Sequence, residues 1–597
     1  GGLPAPQIVA ELKAMGVANL AVVYDDNEDV DFDAFPKGIE IHERATLQTV
    51  QEKFAKVQGV SAIVYIQTCA AEKRRRRKRG TFPDPDKRMF INTDVCEGCG
   101  DCGVQSNCVS LVPKETELGR KRAIDQSSCN KDFSCVNGFC PSFVSLEGAV
   151  VRKEATTELT LPDLPMPELP VIYGTWNVVI TGVGGTGVVT IGAVIAQAAH
   201  IDGKGAGMME MAGLAQKGGA VHIHCRLAND PHDISAIRVA TGECDVLIGG
   251  DLVVSAGAKT LGLTQAGRTG AVVNSHEIIT GDFTRDTEFR LPTERMTLAL
   301  EARLRDDVSL FDASDLAKAL LGDSIFSNMM IFGAAWQRGF VPLSQEAIVQ
   351  AITLNGTAVE RNLRAFEIGR WAVLFPEDAA AILAPKVILL PTSMAEKIDY
   401  RAAQLVGYQG KRLAKRYRKF LDGISDDAVR MAAVSGYHKL LSYKDEYEVA
   451  RLLLYTRSKA RAEFDGDFKM TFNLAPPILS KIGPNGRPVK REFGPWLERP
   501  LRLLAKLKVL RGTPFDVFGY TAERKMEQAL ITQYETDMKT VLKVLNDQNR
   551  DAIVALAELP LQIRGFGPVK LKNEGEAAKR REELLIAIRM GAETLNK

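Results

Sequence analysis

The sequence predicts a multidomain α/β protein in which a cysteine-rich module separates two α/β regions and a mostly helical region follows. Seven of the ten cysteines lie between residues 96 and 140. On both sides of that segment short apolar strands alternate with amphipathic helices. From about residue 376 the pattern becomes one of long amphipathic helices with charged outer faces. With 597 residues, 45% of them hydrophobic, the chain can bury several cores.

Charge and hydropathy favour neither nucleic acid nor a membrane as partner. The net charge is only +2, and no aromatic side chain interleaves the basic run KRRRRKR at 73–79. We predict that this run is a solvated linker or contacts an acidic partner surface. The uncharged stretch 178–199 contains five glycines and reads as strand, turn and helix rather than a membrane span. The first residues do not form a secretion signal, so we expect a cytoplasmic protein.

The first 68 residues predict the end of a parallel α/β domain. The segment QIVAELKAMGV has the 3.6-residue period of an amphipathic helix. LAVVY and VSAIVYIQT read as short buried strands.

The cysteine-rich module has the spacing of an iron–sulfur protein. Cys96, Cys99 and Cys102 recur at every third residue, as in the bacterial ferredoxin run C-x2-C-x2-C-x3-C-P, and Cys140 is followed by a proline. Glycines at 98, 100 and 103 would let the backbone approach inorganic sulfur. The predicted metal ligands are Cys96, Cys99, Cys102, Cys108, Cys129, Cys135 and Cys140.

Two other uses of these cysteines are disfavoured. Disulfides belong to oxidising compartments and to small domains that lack a core. Zinc sites usually separate two cysteine pairs instead of placing three cysteines in a row. We therefore predict at least one [4Fe–4S] cluster, whose crossed ligation would join Cys96, Cys99 and Cys102 to Cys140. The three remaining cysteines are one ligand short of a second cubane. Cys69, a non-cysteine ligand and a single cluster all stay open.

A second α/β region follows the proline-rich segment TELTLPDLPMPELPV, which we read as an extended connector. It opens with NVVITGVGGTG, where Gly182, Gly184 and Gly187 match G-x-G-x-x-G and Gly185 is an additional glycine. Such a turn brings backbone N–H groups up to a pyrophosphate. The acidic residue expected about 20 positions on is not found at a strand end. Close packing, or the phosphates of another cofactor, is therefore favoured over NAD.

A second glycine-rich loop is followed by a predicted strand. In GLAQKGGAVHIHCRL we predict cofactor contacts from Gln216, Lys217, Gly218 and Gly219. His222 and His224 would face the same side of the strand, but no third metal ligand is evident, so structural histidines are favoured. No catalytic residue can be assigned here or in the helical region, where the dipeptide NG predicts a hairpin turn.

The motifs together resemble a known family. QTCAAEKRRRRKRGTFPDPDKR, CEGCGDCGVQSNC, DQSSCNKDFSCVNGFCPSF, TGVGGTGVVTIG and GLAQKGGAVHIHCRLA closely resemble the large fused indolepyruvate ferredoxin oxidoreductases of bacteria. The likeness continues in the same order through GDSIFSNMMIFGAAWQRGFVPLS and KREFGPWLERPLRLLAKLKVLRGTPFDVFGY.

The resemblance implies a domain plan and a reaction. The plan is 1–72, the C-terminal part of a thiamine diphosphate-binding α/β domain; 73–90, a basic linker; 91–150, a ferredoxin-like [4Fe–4S] module; 151–172, a proline-rich linker; 173–375, a gamma-type parallel α/β domain; and 376–597, a mostly helical domain. The implied reaction is oxidative decarboxylation of an aryl 2-oxoacid, indolepyruvate, to an acyl-CoA, with ferredoxin as acceptor. Thiamine diphosphate and Mg²⁺ in the complete enzyme, CoA as co-substrate and a homo-oligomeric assembly are implied with it.

One feature of the family is missing from the sequence. The thiamine diphosphate signature, G-D-G followed by Asn, does not occur in these residues. Family order would place it before residue 1, so we expect the chain to be the C-terminal portion, inactive alone. A different 2-oxoacid substrate (pyruvate, a branched-chain acid or 2-oxoglutarate) and a non-catalytic electron-transfer or assembly subunit remain alternatives. A zinc-structured nucleic-acid binder is the remotest of them.

Overall fold

A computed structural model describes residues 3–152, 156–184, 187–212, 219–278, 281–284, 286–304, 308–383, 393–476, 480–483 and 487–593. The chain divides into two compact units, Gly1–Pro85 and Asp86–Lys597. Across the described residues, every helix is too short or too polar to traverse a bilayer.

The first unit is a three-stranded parallel sheet with flanking helices. Its elements are α1 Ala5–Ala14, β1 Asn19–Tyr24, β2 Glu40–Glu43, α2 Leu47–Phe54, β3 Ser61–Ile66 and α3 Ala70–Lys78. The strand order is β2-β1-β3. Val22 and Val23 are fully buried on opposite faces of β1, where they pack with residues of α1 and α2 respectively. The helix and the two strands predicted in this region are therefore confirmed.

The basic run differs from the prediction. Most of it lies in α3 instead of a linker, because the run follows Ala70-Ala71-Glu72, which are strong helix formers. Glu72 forms ion pairs with Arg75 and Arg76 one turn along the helix, and Lys73 Nζ lies 3.2 Å from a Glu28 carboxylate oxygen. The run is thus partly neutralised within its own unit.

The cysteine-rich module is built on short antiparallel strands. Its elements are β4 Lys87–Ile91, α4 Asp101–Ser106, β5 Leu111–Lys114, β6 Lys121–Ile124, β7 Phe143–Glu147 and β8 Val150–Val151. β5 and β6 form a hairpin, and β4 pairs with β7. The proline-rich segment that follows has no regular secondary structure between residues 156 and 171. It is not a free connector, since Leu159, Leu161, Leu164 and Leu169 pack against the next core.

The third region is a six-stranded sheet covered by helices. Its elements are β9 Thr175–Val183, α5 Val188–Ile201, β10 Gly205–Ala212, β11 Ala220–Ala228, β12 Val246–Gly249, α6 Leu252–Ser255, α7 Ala258–Leu261, β13 Gly270–Asn274, α8 Thr293–Leu304, β14 Val308–Phe311, α9 Ala313–Leu321, α10 Ser327–Gln337, α11 Gln345–Leu354, α12 Val359–Leu374 and α13 Pro376–Leu383. The order is β10-β11-β9-β12-β13-β14.

The prediction of a parallel sheet is correct in direction for five strands and wrong for β11. Strands β9, β12, β13 and β14 pair in parallel, whereas β11 is antiparallel to both of its neighbours, so β10 runs in the same direction as the other four. The seven residues 213–219 that join β10 to β11 are too few for the crossover that a parallel pair requires. The sheet is therefore mixed.

The last region is mostly helical, as predicted. Its elements are α14 Met394–Tyr408, α15 Lys411–Asp422, α16 Asp427–Leu441, α17 Glu446–Leu453, α18 Thr456–Glu463, β15 Phe464–Asp465, β16 Lys469–Leu474, β17 Arg491–Phe493, α19 Glu498–Lys506, α20 Ala522–Val541, α21 Arg550–Glu558 and α22 Gly567–Glu593. The predicted NG turn lies outside the described residues.

This region also completes the cysteine-rich module. Its strands β16 and β17 extend the module's sheet in the order β17-β16-β7-β4, and β15 pairs with β8. Without β16, one edge of β7 would be left with unpaired backbone N–H and C=O groups. Residues 91–150 are therefore only part of the module that contains the cysteines.

Candidate metal centre

Four of the seven clustered thiols line one small cavity. Cys96 follows β4, Cys99 and Cys102 lie at the start of α4, and Cys140 lies just before β7. The other lining residues are Ile91, Glu97, Gly100, Asp101, Arg122, Gly138, Phe139, Ser142 and Phe143. The structure thus brings together the four cysteines that crossed ligation would join.

The backbone around these thiols depends on glycine. Gly98 and Gly100 have φ values of 71° and 77°, in the left-handed region. The N–H of Gly98 donates to Cys96 Sγ at 3.4 Å, and that of Asp101 to the thiol of Cys99. A Cβ on Gly100 would lie 2.2 Å from Thr287 Cγ2. Gly103 differs from the prediction, because it lies within α4, where its N–H bonds to the Gly100 carbonyl.

The thiols are held where a negative charge is costly. Burial, with the neighbouring thiols next, raises the pKa of Cys99 to about 12 and the pKa of Cys102 well above its usual value. Burial also raises the pKa of Cys140. Four thiolates are therefore unfavourable here unless a cation accompanies them, and a coordinated metal removes the thiol proton.

Basic side chains surround the cavity. Burial lowers the pKa of Arg122 and of Lys490, and the charge of Cys102 acts in the opposite direction on both. Lys444 Nζ donates to the carbonyl oxygen of Cys96 at 3.2 Å. The Oγ of Ser142 lies 2.9 Å from Cys140 Sγ. These contacts would partly compensate the charge of a thiolate-bound cluster.

The spacing of the four sulfurs bears on the kind of metal that they could hold. A single tetrahedral zinc with Zn–S bonds of about 2.3 Å requires sulfurs roughly 3.8 Å apart. Within the described residues, one set of three potential ligands, His276, Asp312 and Asp315, has its ligand atoms within 4.8 Å of one another, and this set contains no cysteine. No three of the four cavity sulfurs are that close. The donor set fits a polynuclear iron–sulfur cluster better than a single zinc ion.

The other three thiols form a second group. Burial raises the pKa of Cys135, and the nearby thiols of Cys108 and Cys129 raise it further. The N–H of Lys131 donates to Cys129 Sγ at 3.4 Å. Lys490 lies near both groups, since it also lowers the pKa of Cys135. Cys69 is the N-cap of α3 in the first unit, and its role as an eighth ligand stays a prediction.

The glycine motif lies at a strand–turn–helix junction. Gly182 is near the end of β9, and Gly187 is the N-cap of α5 with a φ of 82°. The N–H of Gly184 donates to the carbonyl of Gly219 at 2.8 Å, which joins the two predicted loops. Gly185, Gln216, Lys217 and Gly218 lie outside the described residues, so their predicted cofactor contacts stay predictions.

Two weaker readings of this region can be compared with the fold. In a dinucleotide-binding unit the strand after the helix pairs with the first strand. Here antiparallel β11 separates β10 from β9, which disfavours NAD. His222 Nε2 lies 3.1 Å from Thr260 Oγ1, and His224 Nδ1 accepts the N–H of Val239. Both histidines therefore have structural partners.

Several residues around the cavity could not be found from spacing. Asp101 accepts the N–H of Phe139 at 2.7 Å and an Arg487 Nη1–H at 2.9 Å, which ties α4 to the loop before Cys140. Arg487 and Lys490 lie more than 340 residues after Cys140 in the sequence. The only sequence signal was the basic segment GRPVKREF.

Comparison with known proteins gives matches over two parts of the chain. The family described as pyruvate ferredoxin/flavodoxin oxidoreductase matches residues 177–372, and a family of unknown function (DUF6537) matches residues 394–583. A protein of Archaeoglobus fulgidus named indolepyruvate oxidoreductase subunit IorB is 28% identical over 195 residues, covering 32% of this chain and 92% of that protein. The Thermococcus kodakarensis protein of the same name is 27% identical over 198 residues, covering 32% and 94%.

The matches to this third of the chain support the 2-oxoacid:ferredoxin oxidoreductase superfamily. A solved structure titled keto/oxoacid ferredoxin oxidoreductase, gamma subunit, from Geobacter sulfurreducens is 23% identical and covers 33% of this chain and 98% of its own. Its TM-score is 0.24, so the superfamily assignment rests on the sequence matches. The two matched families span neither thiol group, and ligation by the cysteines therefore depends on the geometry described above.

Proposed function

We propose that this chain is the electron-transfer portion of an indolepyruvate ferredoxin oxidoreductase, with at least one [4Fe–4S] cluster bound by Cys96, Cys99, Cys102 and Cys140. The proposal rests on one observation: the thiols of these four cysteines line the same cavity. The cavity belongs to the same compact unit as the residues that match the pyruvate ferredoxin/flavodoxin oxidoreductase family.

Each group around the cavity has a defined task. A bound [4Fe–4S] cluster would supply one-electron redox chemistry at low potential. The four cysteines provide the thiolates, and Gly98 and Asp101 direct N–H groups at two of the sulfurs. Arg122 and Lys490 offset the negative charge of the thiolates. Ile91 and Phe143, both at most 3% exposed, exclude water from one side.

The complete reaction is proposed from the superfamily and from the named relatives. An aryl 2-oxoacid would lose CO₂ and two electrons and form an acyl-CoA, and ferredoxin would receive the electrons. Thiamine diphosphate with Mg²⁺ would provide the carbanion chemistry, and CoA the acceptor thiol. The two glycine loops, 182–187 and 213–219, would lie beside that centre. We propose a homo-oligomeric assembly in the cytoplasm.

The thiamine step is proposed to use residues outside these 597, in the same or another polypeptide, because the sequence lacks the G-D-G signature. The chain alone, supplied with indolepyruvate, thiamine diphosphate, Mg²⁺ and CoA, should reduce no ferredoxin. Adding the thiamine-binding component should restore reduction. Turnover by the chain alone would contradict this division of labour.

Iron and acid-labile sulfide per chain test the cluster directly. Protein prepared without oxygen should be brown with broad absorbance near ~400 nm, and reduction should produce an EPR signal. Stoichiometric zinc without sulfide would refute the proposal. Substrate choice needs a separate test on the reconstituted enzyme: a preference for pyruvate, a branched-chain acid or 2-oxoglutarate over indolepyruvate would change the substrate but keep the electron-transfer role.

A further inference from the structure

A second and larger cavity, here called the basic cleft, lies beside the thiol cavity and has a volume of about 420 Å³. One wall is the turn of the β5–β6 hairpin, and the opposite wall comes from α14, α16 and the segment before α22. Glu97 lines both cavities. The sequence matches and the proposed chemistry leave the basic cleft without a role.

The basic cleft holds more positive charge than its acidic residues can neutralise. Two of its seven cations have acidic partners outside the lining: Arg120 lies 2.7 Å from Glu115, and Arg564 pairs with Glu288. The remaining five, Lys121, Lys397, Arg401, Lys439 and Lys444, face the two carboxylates of the lining, Glu97 and Glu117. The formal excess is about three positive charges. Burial reduces it, because it lowers the pKa of Lys121 to about 7 and that of Lys444 to about 8, and the charge of the Cys96 thiol acts in the opposite direction on both lysines.

Three of these cations have no ion-pair partner in the described part of the chain. Lys439 and Lys444 share Glu97, whereas Lys121, Lys397 and Arg401 have no carboxylate oxygen within 4.0 Å. Arg401 donates only to neutral oxygens, the carbonyls of Lys397 and Glu117 and the Ser435 hydroxyl. The structure therefore provides charged donors without a matching acceptor.

The unmatched donors are buried, which is unusual for a solvated surface. Lys121 and Arg401 are each only 7% exposed, and within the described residues the Nζ of Lys121 makes no hydrogen bond. His438 is 5% exposed, and its Nε2 has no hydrogen-bond partner among the described residues. A buried charge without a partner is costly, so Lys121 and Arg401 would be stabilised by binding an anion.

The lining also indicates what kind of anion fits. Among the described residues that line the basic cleft there is no Phe, Tyr or Trp, and the larger apolar side chains are Leu118 and Leu561. The single imidazole of His438 offers an indole ring or a nucleobase little stacking surface. Hydroxyls of Thr116, Ser435 and Ser442 stand among the cations. A carboxylate would neutralise one charge, whereas a diphosphate carries about three and accepts hydrogen bonds from several directions.

We propose that the basic cleft is a binding site for a diphosphate group, either free or as the diphosphate of a larger ester. Lys121, Lys397 and Arg401 would contact its oxygens. The proposal does not depend on the cluster or on the 2-oxoacid reaction, because it rests on the charges and burial of the basic cleft alone.

Calorimetric titration of the full chain, prepared without oxygen, tests the proposal with pyrophosphate as probe. We expect saturable binding of about one pyrophosphate per chain. Lys397→Gln, at a half-buried position, and Lys121→Gln should each weaken binding by at least about tenfold, as expected for the loss of a charge-assisted hydrogen bond. Lys411→Gln, an exposed lysine on α15, is the matched control and should bind like the parent.

Other anions sharpen the result. Orthophosphate and citrate should bind at least about tenfold more weakly than pyrophosphate, and ADP separates an esterified from a free diphosphate. Comparable ADP binding would identify an ester as the ligand, and weak ADP binding would identify free diphosphate. Absence of saturable pyrophosphate binding, equal binding of citrate, or binding unchanged in Lys397→Gln would each overturn the proposal. Lys397→Gln keeps the test valid if Lys121→Gln fails to fold.

Discussion

The two thiol groups of this chain obtain similar backbone turns in different ways. In the first group, Cys96, Cys99, Cys102 and Cys140, the left-handed positions are occupied by Gly98 and Gly100. Beside the second group, Cys108, Cys129 and Cys135, they are occupied by residues with side chains: Asn107, Lys131 and Phe133, with φ values of 48°, 53° and 61°.

Glycine by itself permits the turns of the first group, whereas the turns beside the second group need stabilisation from neighbouring parts of the structure. Glycine adopts a left-handed conformation at little cost, whereas other L-residues lose about 1–2 kcal/mol. Strained conformations persist only where the rest of the structure, or a bound group, stabilises them. The turns of the first group are therefore encoded by their own glycines, whereas the turns beside the second group depend on packing or on a ligand.

Removing one thiol from each group should give the largest effect. Cys102→Ala removes a proposed ligand of the first cluster, so one cubane's iron and sulfide should be lost and ferredoxin reduction by the reconstituted enzyme should fall at least about 100-fold. Cys135→Ala should keep the EPR signal of the first cluster. Iron, sulfide and EPR measured together distinguish the variants.

The control for this pair is Cys225→Ala, a buried thiol of β11 in the third region, which should keep full iron content. If Cys102→Ala and Cys135→Ala lost the same iron and the same signal, the seven cysteines would act as one unit. The separation into two groups would then be wrong.

The next effect is expected at a buried ion pair next in sequence to Lys444, which contacts the first group. Arg511 donates to both carboxylate oxygens of Asp445, at 2.5 and 2.7 Å, and both side chains are 3% exposed. Arg511→Met leaves a buried carboxylate without its partner, so the free energy of unfolding should fall by about 3–5 kcal/mol. Lys444, which directly precedes Asp445, contacts the Cys96 carbonyl, so iron should leave the first group faster. Urea denaturation and a chelator assay measure the two effects.

The double variant Asp445→Asn/Arg511→Met provides the control for this ion pair. It should lose less stability than the sum of the two single variants, because neither partner is left unpaired. Strict additivity would show that the pair contributes little.

A smaller effect is expected at the glycines of the first group. Gly100→Ala introduces a Cβ 2.2 Å from Thr287 Cγ2 at a left-handed position, so stability should fall by about 2–3 kcal/mol. Gly174→Ala is the matched control: φ there is 69°, but nothing lies within 4 Å of the new Cβ. It should cost about 1–2 kcal/mol. Equal losses in urea denaturation would mean that the close contact is unimportant.

The smallest effect, with the opposite sign, is expected beside the second group. Asn107 is an exposed left-handed residue that ends α4, and Asn107→Gly removes its backbone strain. The free energy of unfolding should rise by roughly 0.5 kcal/mol, since the greater freedom of glycine in the unfolded chain offsets part of the gain. Asn107→Ala should instead destabilise by about 1 kcal/mol. Destabilisation by Asn107→Gly would show that the turn is not strained.

The sequence by itself determined the features that depend on neighbouring residues. The helix and strands of residues 5–66, the strand–turn–helix at Gly182–Gly187 and the every-third spacing of Cys96, Cys99 and Cys102 all follow from local periodicity and from glycine. The basic run was predicted as a linker, although the residues directly before it, Ala70, Ala71 and Glu72, favour a helix.

Only the tertiary structure decided which distant segments meet. It placed Cys140 with the first three thiols, added β16 and β17 to the cysteine-rich module, and brought Arg487 and Lys490 to the thiol cavity. It also inserted β11 between β10 and β9. Such contacts join residues far apart in the chain, and their stability comes from burial, sheet pairing and charge compensation in the folded state, which local spacing does not encode.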